Sequence, residues 1–165
     1  MKIQFIAITA LIILTASGLK AQTSFSGTWA IKQKTVISGQ DYANSIAKEI
    51  TVSQTADSIT ISRTSMGQNG DVTSREAVAV SGKLNVIQTT ANRKETVSLS
   101  MDTNSQGFTE TATFSKESSA GEPEYQRIEV WSLSADGHAL TIVKSFQSLV
   151  EADDKWSVKG VYEKQ

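Results

Sequence analysis

The sequence contains no cysteine, and it has one histidine and one proline among 165 residues. The lack of cysteine excludes disulfides, thiol nucleophiles and zinc sites built on thiolates. The single histidine, His138, leaves little room for a Ser-His-Asp triad and is interpreted as the exposed tip of a turn. The residue inventory therefore argues against the commonest nucleophilic and metal-dependent enzymes.

Long hydrophobic runs are also missing, except for one short stretch near the N-terminus. Phe5 to Ala16 is apolar, follows Lys2 and is followed by Leu19-Lys20-Ala21, which predicts a signal peptide over residues 1–21. A transmembrane helix needs roughly 20 apolar residues, so an uncleaved anchor is the less favoured alternative. We expect one domain over residues 22–165, exported in soluble form to the periplasm or outside the cell, with no stable membrane anchor after cleavage.

A strong charge of either sign is lacking as well. The chain has 16 basic and 17 acidic residues, and loss of Lys2 and Lys20 with the signal would leave a slight acidic excess. No basic stripe with interleaved aromatic residues is present, so we expect no nucleic-acid partner. The glycines form no phosphate-binding pattern, and we expect no cofactor. The acidic group Glu151, Asp153 and Asp154 is interpreted as a solvated turn, so no metal site is predicted.

What the sequence has in abundance is period-two alternation. Ile50-Thr51-Val52-Ser53 and Ser58-Ile59-Thr60-Ile61-Ser62 alternate β-branched and small hydroxyl residues on either side of a short turn. Such alternation is typical of half-buried antiparallel strands. The Asp136-Gly137 pair predicts a second hairpin turn over 134–138. The same pattern predicts ten strands, at 26–36, 48–54, 57–65, 71–80, 84–90, 94–102, 107–116, 124–134, 138–148 and 155–163.

The connections between these strands favour one architecture. A succession of hairpins predicts an up-and-down meander, and closing the meander into a barrel removes its two open edges. A β-sandwich is the alternative, and it usually needs a long crossover, for which only residues 37–47 would serve. Within that region Tyr42, Ile46 and Ile50 recur every four residues, so a short helix is predicted over Gln40 to Lys48. We predict an all-β, antiparallel up-and-down barrel of 8–10 strands.

Three motifs resemble those of a known group of barrels. Phe25-Ser26-Gly27-Thr28-Trp29 resembles the G-x-W opening of lipocalins and the wider calycin group, and hairpins at 50–61 and 129–142 resemble small exported bacterial lipocalin-like domains without assigned activity. The resemblance implies that Trp29 packs across one end of a barrel. It also implies a basic residue on the last strand against that tryptophan, and in the stretch from Trp156 to Glu163 only Lys159 is available.

Charged residues interrupt several apolar stripes, and these residues are the candidate binding site. Arg63 continues the face of Ile59 and Ile61, and Glu110 and Lys144 lie within similar stripes. A charge on an inner face destabilises the fold unless it is paired with an opposite charge or hydrated. A barrel mouth that contains water provides both conditions. A register shift that places these charges outside is the alternative. The candidate ligand-binding residues, on the hypothesis that these charges meet a polar head above an apolar floor, are Trp29, Arg63, Glu110, Arg127, Trp131 and Lys144.

Three functional hypotheses remain at this point. The preferred one is an exported, monomeric, non-enzymatic binding protein that holds a small, partly apolar or amphiphilic ligand in its barrel. The alternative is a solid-core barrel that acts as a protein-interaction or inhibitor module through loops at 65–71 and 115–124. An enzyme that uses paired carboxylates is the third, and the low aromatic content of 7% makes a carbohydrate cleft a poor fit.

Overall fold

The computed structural model describes residues 24–90, 93–103, 106–116 and 122–165, with side chains described throughout except at 86–90. The predicted signal peptide, residues 1–21, and the centre of the predicted 115–124 loop, residues 117–121, lie outside these ranges. All regular elements in the described ranges are strands: β1 (Gly27–Ser38), β2 (Glu49–Gln54), β3 (Ser58–Gly67), β4 (Gly70–Ala79), β5 (Asn85–Thr90), β6 (Arg93–Met101), β7 (Gly107–Lys116), β8 (Pro123–Leu133), β9 (Ala139–Ser148) and β10 (Lys155–Lys164). Those ranges contain no helix long and apolar enough to cross a lipid bilayer.

The ten strands form one antiparallel sheet that curls into a barrel. Its order is β4-β3-β2-β1-β10-β9-β8-β7-β6-β5, so strands that follow each other in the chain are neighbours in the sheet, except for β4 and β5. The pairing of β1 with β10 joins the two ends of the chain, and β4 and β5 are left as unpaired edges. The result is a nearly closed up-and-down barrel, which confirms the predicted fold class and strand number.

The predicted hairpins have the expected register and turns. Val52 of β2 pairs with Ile61 of β3, and both side chains are buried. The hydroxyl residues that alternate with them along the two strands face outwards. In the β8–β9 turn Gly137 has a φ of 72°, and the carboxylate of Asp136 accepts the backbone N–H of His138 at 3.1 Å. Positive φ favours glycine, so the Asp-Gly signal correctly marked this turn. His138 is exposed there, as predicted.

Two predictions about connections are wrong. Residues 40–48 form turns and bends and no helix, because barrel residues hold this segment directly: Ile31 donates to the carbonyl of Lys48 at 2.9 Å, and the Tyr162 hydroxyl donates to that of Ala47 at 2.9 Å. These tertiary contacts override the helical spacing of Ile46 and its neighbours. The predicted loop at 65–71 is a two-residue turn at 68–69, because the strand alternation continues to Gly67 and resumes at Gly70.

The end of the barrel where β1 begins is closed by aromatic packing, and we call it the closed end. Phe25, Trp29, Phe108 and Trp131 are each 0% exposed. The Phe108 ring lies edge-on to Phe25, with ring centroids 4.8 Å apart, and stacks on Trp131, with centroids 4.9 Å apart. The Trp29 indole N–H donates to the carbonyl of Phe25 at 3.0 Å, so its polar atom is satisfied within the plug.

The basic residue against Trp29 is Lys164, and the expectation of Lys159 is wrong. Trp29 pairs with Lys164 in the β1–β10 register, and the ammonium lies 5.2 Å from the centre of the indole. Lys159 pairs with Thr35 instead, and it is exposed. Because β10 extends to Lys164, its inward face includes one position beyond the predicted end of the strand.

Candidate functional site

Among the residues that the structure describes, seven charged side chains face the inside of the barrel. Strand alternation places one on each of β3, β4, β6, β7 and β9 and two on β8, namely Arg63, Glu76, Glu95, Glu110, Lys144, Arg127 and Glu129. We call this set the charged layer. Glu110 and Glu129 are direct partners in the β7–β8 register, an arrangement that destabilises the sheet unless cations lie between them. Four carboxylates therefore share the interior with three cations.

Arg63 is the hub of the charged layer. Its Nη2 lies 3.0 Å from Glu110 Oε2 and 2.9 Å from Glu129 Oε2, and its Nη1 binds Glu76. The Arg63 guanidinium also lies 5.6 Å from the centre of the Trp131 ring, a cation–π distance. The Glu110 side chain is 0% exposed, so it depends on these donors for its charge compensation.

Arg127 is the second arginine of the charged layer, and it lies between Glu110 and Glu95. Its Nη2 donates to Glu110 Oε1 at 2.8 Å and lies 3.3 Å from Glu95 Oε1. Its Nε is 3.6 Å from Glu129 Oε1 and has no hydrogen-bond partner among the described residues. One N–H of this buried guanidinium is therefore left to donate.

Lys144 is held more loosely than the two arginines. Its Nζ lies 3.7 Å from Glu129 Oε1, beyond hydrogen-bonding distance, and 5.8 Å from the centre of the Trp156 ring. Burial lowers the pKa of Lys144, and the charge of Glu129 offsets this only in part. The amine is thus partly desolvated without a direct hydrogen-bond acceptor in the part of the chain that the structure describes.

The surroundings shift the pKa values of two carboxylates of the charged layer in opposite directions. Burial opposes the ionisation of Glu129, but the charges of Arg63, Lys144 and Arg127 outweigh it and hold its pKa far below the usual range. For Glu95 burial prevails over the attraction of Arg127 and raises its pKa. Glu95 Oε1 is also buried without a hydrogen bond among the described residues. Folding therefore disfavours the charged form of Glu95, whereas it favours the charged form of Glu129.

Replacing Glu95 by glutamine should change the pH dependence of stability. The pKa of Glu95 is higher in the folded than in the unfolded chain, so its contribution is present at low pH and is lost as the pH rises through the folded value. The Glu95→Gln variant should match the wild type near about pH 4 and become the more stable protein at higher pH. Urea denaturation at several pH values measures this.

Glu129→Gln is the matched control, because the pKa of Glu129 is lowered on folding. Its stabilising contribution is present above the unfolded pKa and is lost as the pH falls, so this variant should be destabilised most at neutral pH. A Glu95→Gln protein that is less stable than the wild type at pH 8 would contradict the assigned direction.

Below the charged layer, the barrel is filled by side chains. The Trp131 indole N–H donates to Glu129 Oε2 at 3.2 Å, which joins the charged layer to the aromatic plug beneath it. Beside Arg63, Lys144 and Tyr162 lies a cavity of about 20 Å³, which has room for about one water molecule. The candidate ligand space is therefore on the other side of the charged layer.

A larger cleft lies at the open end of the barrel, where β1 ends and β10 begins. It has a volume of about 310 Å³, and we call it the mouth cleft. Its lining combines aromatic, polar and cationic side chains: Tyr42, Asn44, Ser45, Phe114, Arg127, Lys144, Phe146 and Trp156. The Ser45 hydroxyl is buried and, like Arg127 Nε, has no hydrogen-bond partner within the described ranges. The base of the mouth cleft thus carries unused hydrogen-bonding groups.

The aromatic wall of the mouth cleft is an ordered stack. The rings of Phe146 and Trp156 are 5.6 Å apart and nearly parallel, and Tyr125 stacks on Phe146 at 5.4 Å. Tyr42, from the 39–48 connection, leans on Trp156 at 5.9 Å. Cross-strand pairing of Phe146 with Trp156 fixes the centre of the stack. The centre of the wall is therefore held by β9 and β10, and the 39–48 connection adds Tyr42 at its side.

The predicted site residues divide into two groups. Arg63, Glu110, Arg127, Trp131 and Lys144 lie together in or directly beneath the charged layer. Trp29 lies apart from them in the plug at the closed end. Whether any of them binds a ligand stays a prediction.

Sequence reasoning missed three of the seven residues of the charged layer and most of the mouth cleft. Glu129 was on the same alternating stripe as Arg127 and Trp131, and Glu95 and Glu76 precede Val97 and Val78 by two residues. That spacing is the signal that could have found them. Phe114 and Phe146 of the mouth cleft follow Glu110 and Lys144 on the same alternating stripes, so the same signal applies to them. No local signal places Tyr42 against Trp156, because these two residues meet only through tertiary packing. In the described ranges no three acidic or histidine side chains are arranged to hold a metal ion.

Known proteins resemble this chain in fold and not in sequence. No protein-family model matches the chain, and no curated protein sequence matches it. A secretary abundant heat soluble (SAHS) protein from Ramazzottius varieornatus has a TM-score of 0.51 and 8% identity, over 86% of this chain and 95% of that one. Zebrafish ileal bile acid-binding protein, solved with cholic acid, has a TM-score of 0.49 and 17% identity, over 86% of this chain and 98% of its own. The likeness to the SAHS protein is therefore one of fold alone, and the function of this chain has to be argued from its own residues.

Proposed function

We propose that this chain is an exported, monomeric, non-enzymatic binding protein that holds a small amphiphilic ligand in the mouth cleft. The aromatic part of the ligand would lie against Phe146 and Trp156, and its polar head would face Arg127 and Lys144. The observation that carries this proposal is a cleft of about 310 Å³ with an aromatic wall and a cationic base.

The depth of the proposed site follows from what fills the barrel. The charged layer crosses the interior, and the plug of aromatic side chains lies beneath it. A ligand placed deeper would have to break ion pairs around Glu110, whose side chain is fully buried. Breaking a buried pair is strongly unfavourable, so the ligand is better placed above the layer than within it.

The polar head of the ligand is inferred from the unused donors. Arg127 Nε, Lys144 Nζ and the Ser45 hydroxyl all belong to residues that line the mouth cleft, and none of them makes a hydrogen bond as a donor within the described ranges. Buried donors without acceptors are costly, so a ligand oxygen placed among them would gain affinity. A sulfonate, carboxylate or carbonyl oxygen fits this base.

A binding role is favoured over catalysis by the state of the carboxylates. An efficient general acid or base has a pKa near the operating pH. The pKa of Glu129 is held far below that range by Arg63, and Glu110 is enclosed by two guanidinium groups. These two carboxylates are better suited to positioning the cations than to exchanging protons. Glu95, whose pKa is raised by burial, is not among the residues that line the mouth cleft.

Removal of one aromatic wall residue should weaken ligand binding. 1-Anilinonaphthalene-8-sulfonate (ANS) has both an aromatic body and an anionic head, so it is a suitable probe. The Trp156→Ala variant should bind ANS about tenfold more weakly than the wild type, a difference of about 1.4 kcal/mol. A fluorescence titration measures the dissociation constant.

Val130→Ala is the control for this titration, because Val130 is on β8 but faces outwards and is 43% exposed. Its ANS affinity should equal that of the wild type. Equal affinities for all three proteins, or no ANS binding to any of them, would contradict the proposed site.

Export is a separate part of the proposal and is supported by the pattern of residues 1–21. When the full chain is expressed in a Gram-negative host, we expect the protein in the periplasmic or extracellular fraction, beginning at Gln22. Intact-mass measurement with N-terminal sequencing tests this. Recovery of the unprocessed chain from the cytoplasm would contradict export and leave the proposed cleft untouched.

A further inference from the structure

Lys144 has an environment unlike that of the other two cations of the charged layer. Arg63 and Arg127 each make hydrogen bonds to carboxylates at 3.0 Å or less. Lys144 Nζ makes none within the described ranges, and its one ion-pair partner, Glu129, is 3.7 Å away. The residue lines both the 20 Å³ cavity and the mouth cleft, and its side chain is 18% exposed. The amine is therefore sheltered from bulk water yet reachable from the cleft.

We infer that Lys144 is a covalent attachment site, at which the ε-amine forms a reversible imine with a small aromatic or conjugated aldehyde held in the mouth cleft. This inference rests on the proposed function, because it takes the mouth cleft as the place where the ligand is held. It adds the chemical class of the ligand and a bond to the protein.

The nucleophile in imine formation is the neutral amine, and the surroundings of Lys144 favour that form. Burial lowers its pKa, and the neighbouring charges of Arg127 and Arg63 act in the same direction, while Glu129 opposes them. Desolvation and nearby cations are the means by which lysine amines become reactive towards carbonyl groups. The geometry adds access, since the amine borders the cleft directly.

The carbonyl oxygen of the aldehyde would also find partners. Ser45 and Arg127 line the same cleft, and the Ser45 hydroxyl and Arg127 Nε are buried without hydrogen-bond partners in the described part of the chain. Donors that point at the carbonyl oxygen stabilise the negative charge that develops there as the amine attacks. The flat aromatic wall selects a flat, conjugated aldehyde over a bulky aliphatic one.

The reaction balances without an added oxidant or reductant. The neutral amine attacks the carbonyl carbon, a C–N bond forms as the C=O π bond breaks, and one amine proton moves to the carbonyl oxygen to give a neutral carbinolamine. The proton that the ammonium released on becoming the amine then protonates the hydroxyl group. The C–O bond breaks, water leaves, and a protonated imine remains. Overall, an ammonium ion and an aldehyde become an iminium ion and water. The positive charge stays at the position opposite Glu129, so no buried carboxylate loses its counter-ion.

The test is reductive trapping with cinnamaldehyde and sodium cyanoborohydride on the purified protein, followed by peptide mapping of every modified lysine. Lys144 should be modified at least about tenfold faster than Lys159, an exposed lysine on the outer wall. The Lys144→Arg variant keeps a cation opposite Glu129 but cannot form an imine, so the fast-reacting site should disappear. In Ser45→Ala, trapping at Lys144 should be slower while the rate at Lys159 is unchanged.

The outcomes separate this inference from the proposed function. If ANS binds in a Trp156-dependent manner and cinnamaldehyde displaces it, but Lys144 is trapped no faster than Lys159, the covalent step is wrong and the binding site stands. If ANS binding does not depend on Trp156, the proposed function fails whatever Lys144 does. An unchanged rate of adduct formation in a folded Lys144→Arg protein would overturn the inference directly.

Discussion

The Arg63→Met variant is expected to lose about 3–5 kcal/mol of its free energy of unfolding. Arg63 binds Glu76, Glu110 and Glu129, and the last two are at most 3% exposed at their side chains. Removing the guanidinium leaves these carboxylates buried with fewer cations, and their desolvation is no longer compensated. Arg127 and Lys144 cannot replace it, because neither of them contacts all three carboxylates within hydrogen-bonding distance.

Urea denaturation of the wild type and the variant measures the loss. Lys32→Met is the matched control, since Lys32 pairs with Glu163 at 2.9 Å while both side chains are more than half exposed. An exposed pair contributes less than about 1 kcal/mol, so the control should unfold close to the wild type. Equal destabilisation of the two variants would contradict the assignment of Arg63 as the hub of a buried network.

The Trp29→Ala variant is expected to lose a similar amount, about 3–5 kcal/mol. Trp29 is 0% exposed, and removing its ring opens a cavity in the plug that the neighbouring strands cannot close by small movements. The substitution also removes the hydrogen bond to the Phe25 carbonyl and the cation–π contact with Lys164. A ligand-binding role for Trp29 would predict a smaller loss of stability and a larger loss of ligand affinity.

The tryptophan at the opposite end provides the comparison. Trp156 is only partly buried at the mouth, so Trp156→Ala should cost less than half as much stability as Trp29→Ala. The same two proteins should show the reverse order in ANS affinity. If Trp29→Ala weakens ANS binding as strongly as Trp156→Ala does, while remaining folded, the division between plug and mouth is wrong.

Much of the barrel could be predicted from the sequence, because a strand records its inner face in the alternation of its own residues. Ile59 and Ile61 fall on the same buried face without reference to any other strand. The 40–48 segment could not be predicted in this way. Its conformation depends on the hydrogen bond from Tyr162 of β10 to Ala47 and on the one from Ile31 of β1 to Lys48. Both donors lie outside the segment, so its own residues do not record these contacts.

For the candidate site, the sequence likewise predicts which side chains point inwards but not which of them meet. The inward position of Arg63 and Glu110 follows from the stripes that contain them. Which carboxylate meets which guanidinium depends on closure of the barrel, since Arg63 and Glu129 are 66 residues apart. Lys164 was missed for a simpler reason, because the predicted last strand ended one residue before it.

The measurement that tests the central claim most directly is ¹⁹F NMR of protein labelled with 5-fluorotryptophan, titrated with ANS. The chain has three tryptophans, and they report on three depths: Trp29 in the plug, Trp131 under the charged layer and Trp156 at the mouth. A ligand in the mouth cleft should shift the Trp156 resonance most, the Trp131 resonance less, and the Trp29 resonance hardly at all. A titration that moves Trp29 first, or that leaves Trp156 unchanged while ANS binds, would contradict the proposed binding site.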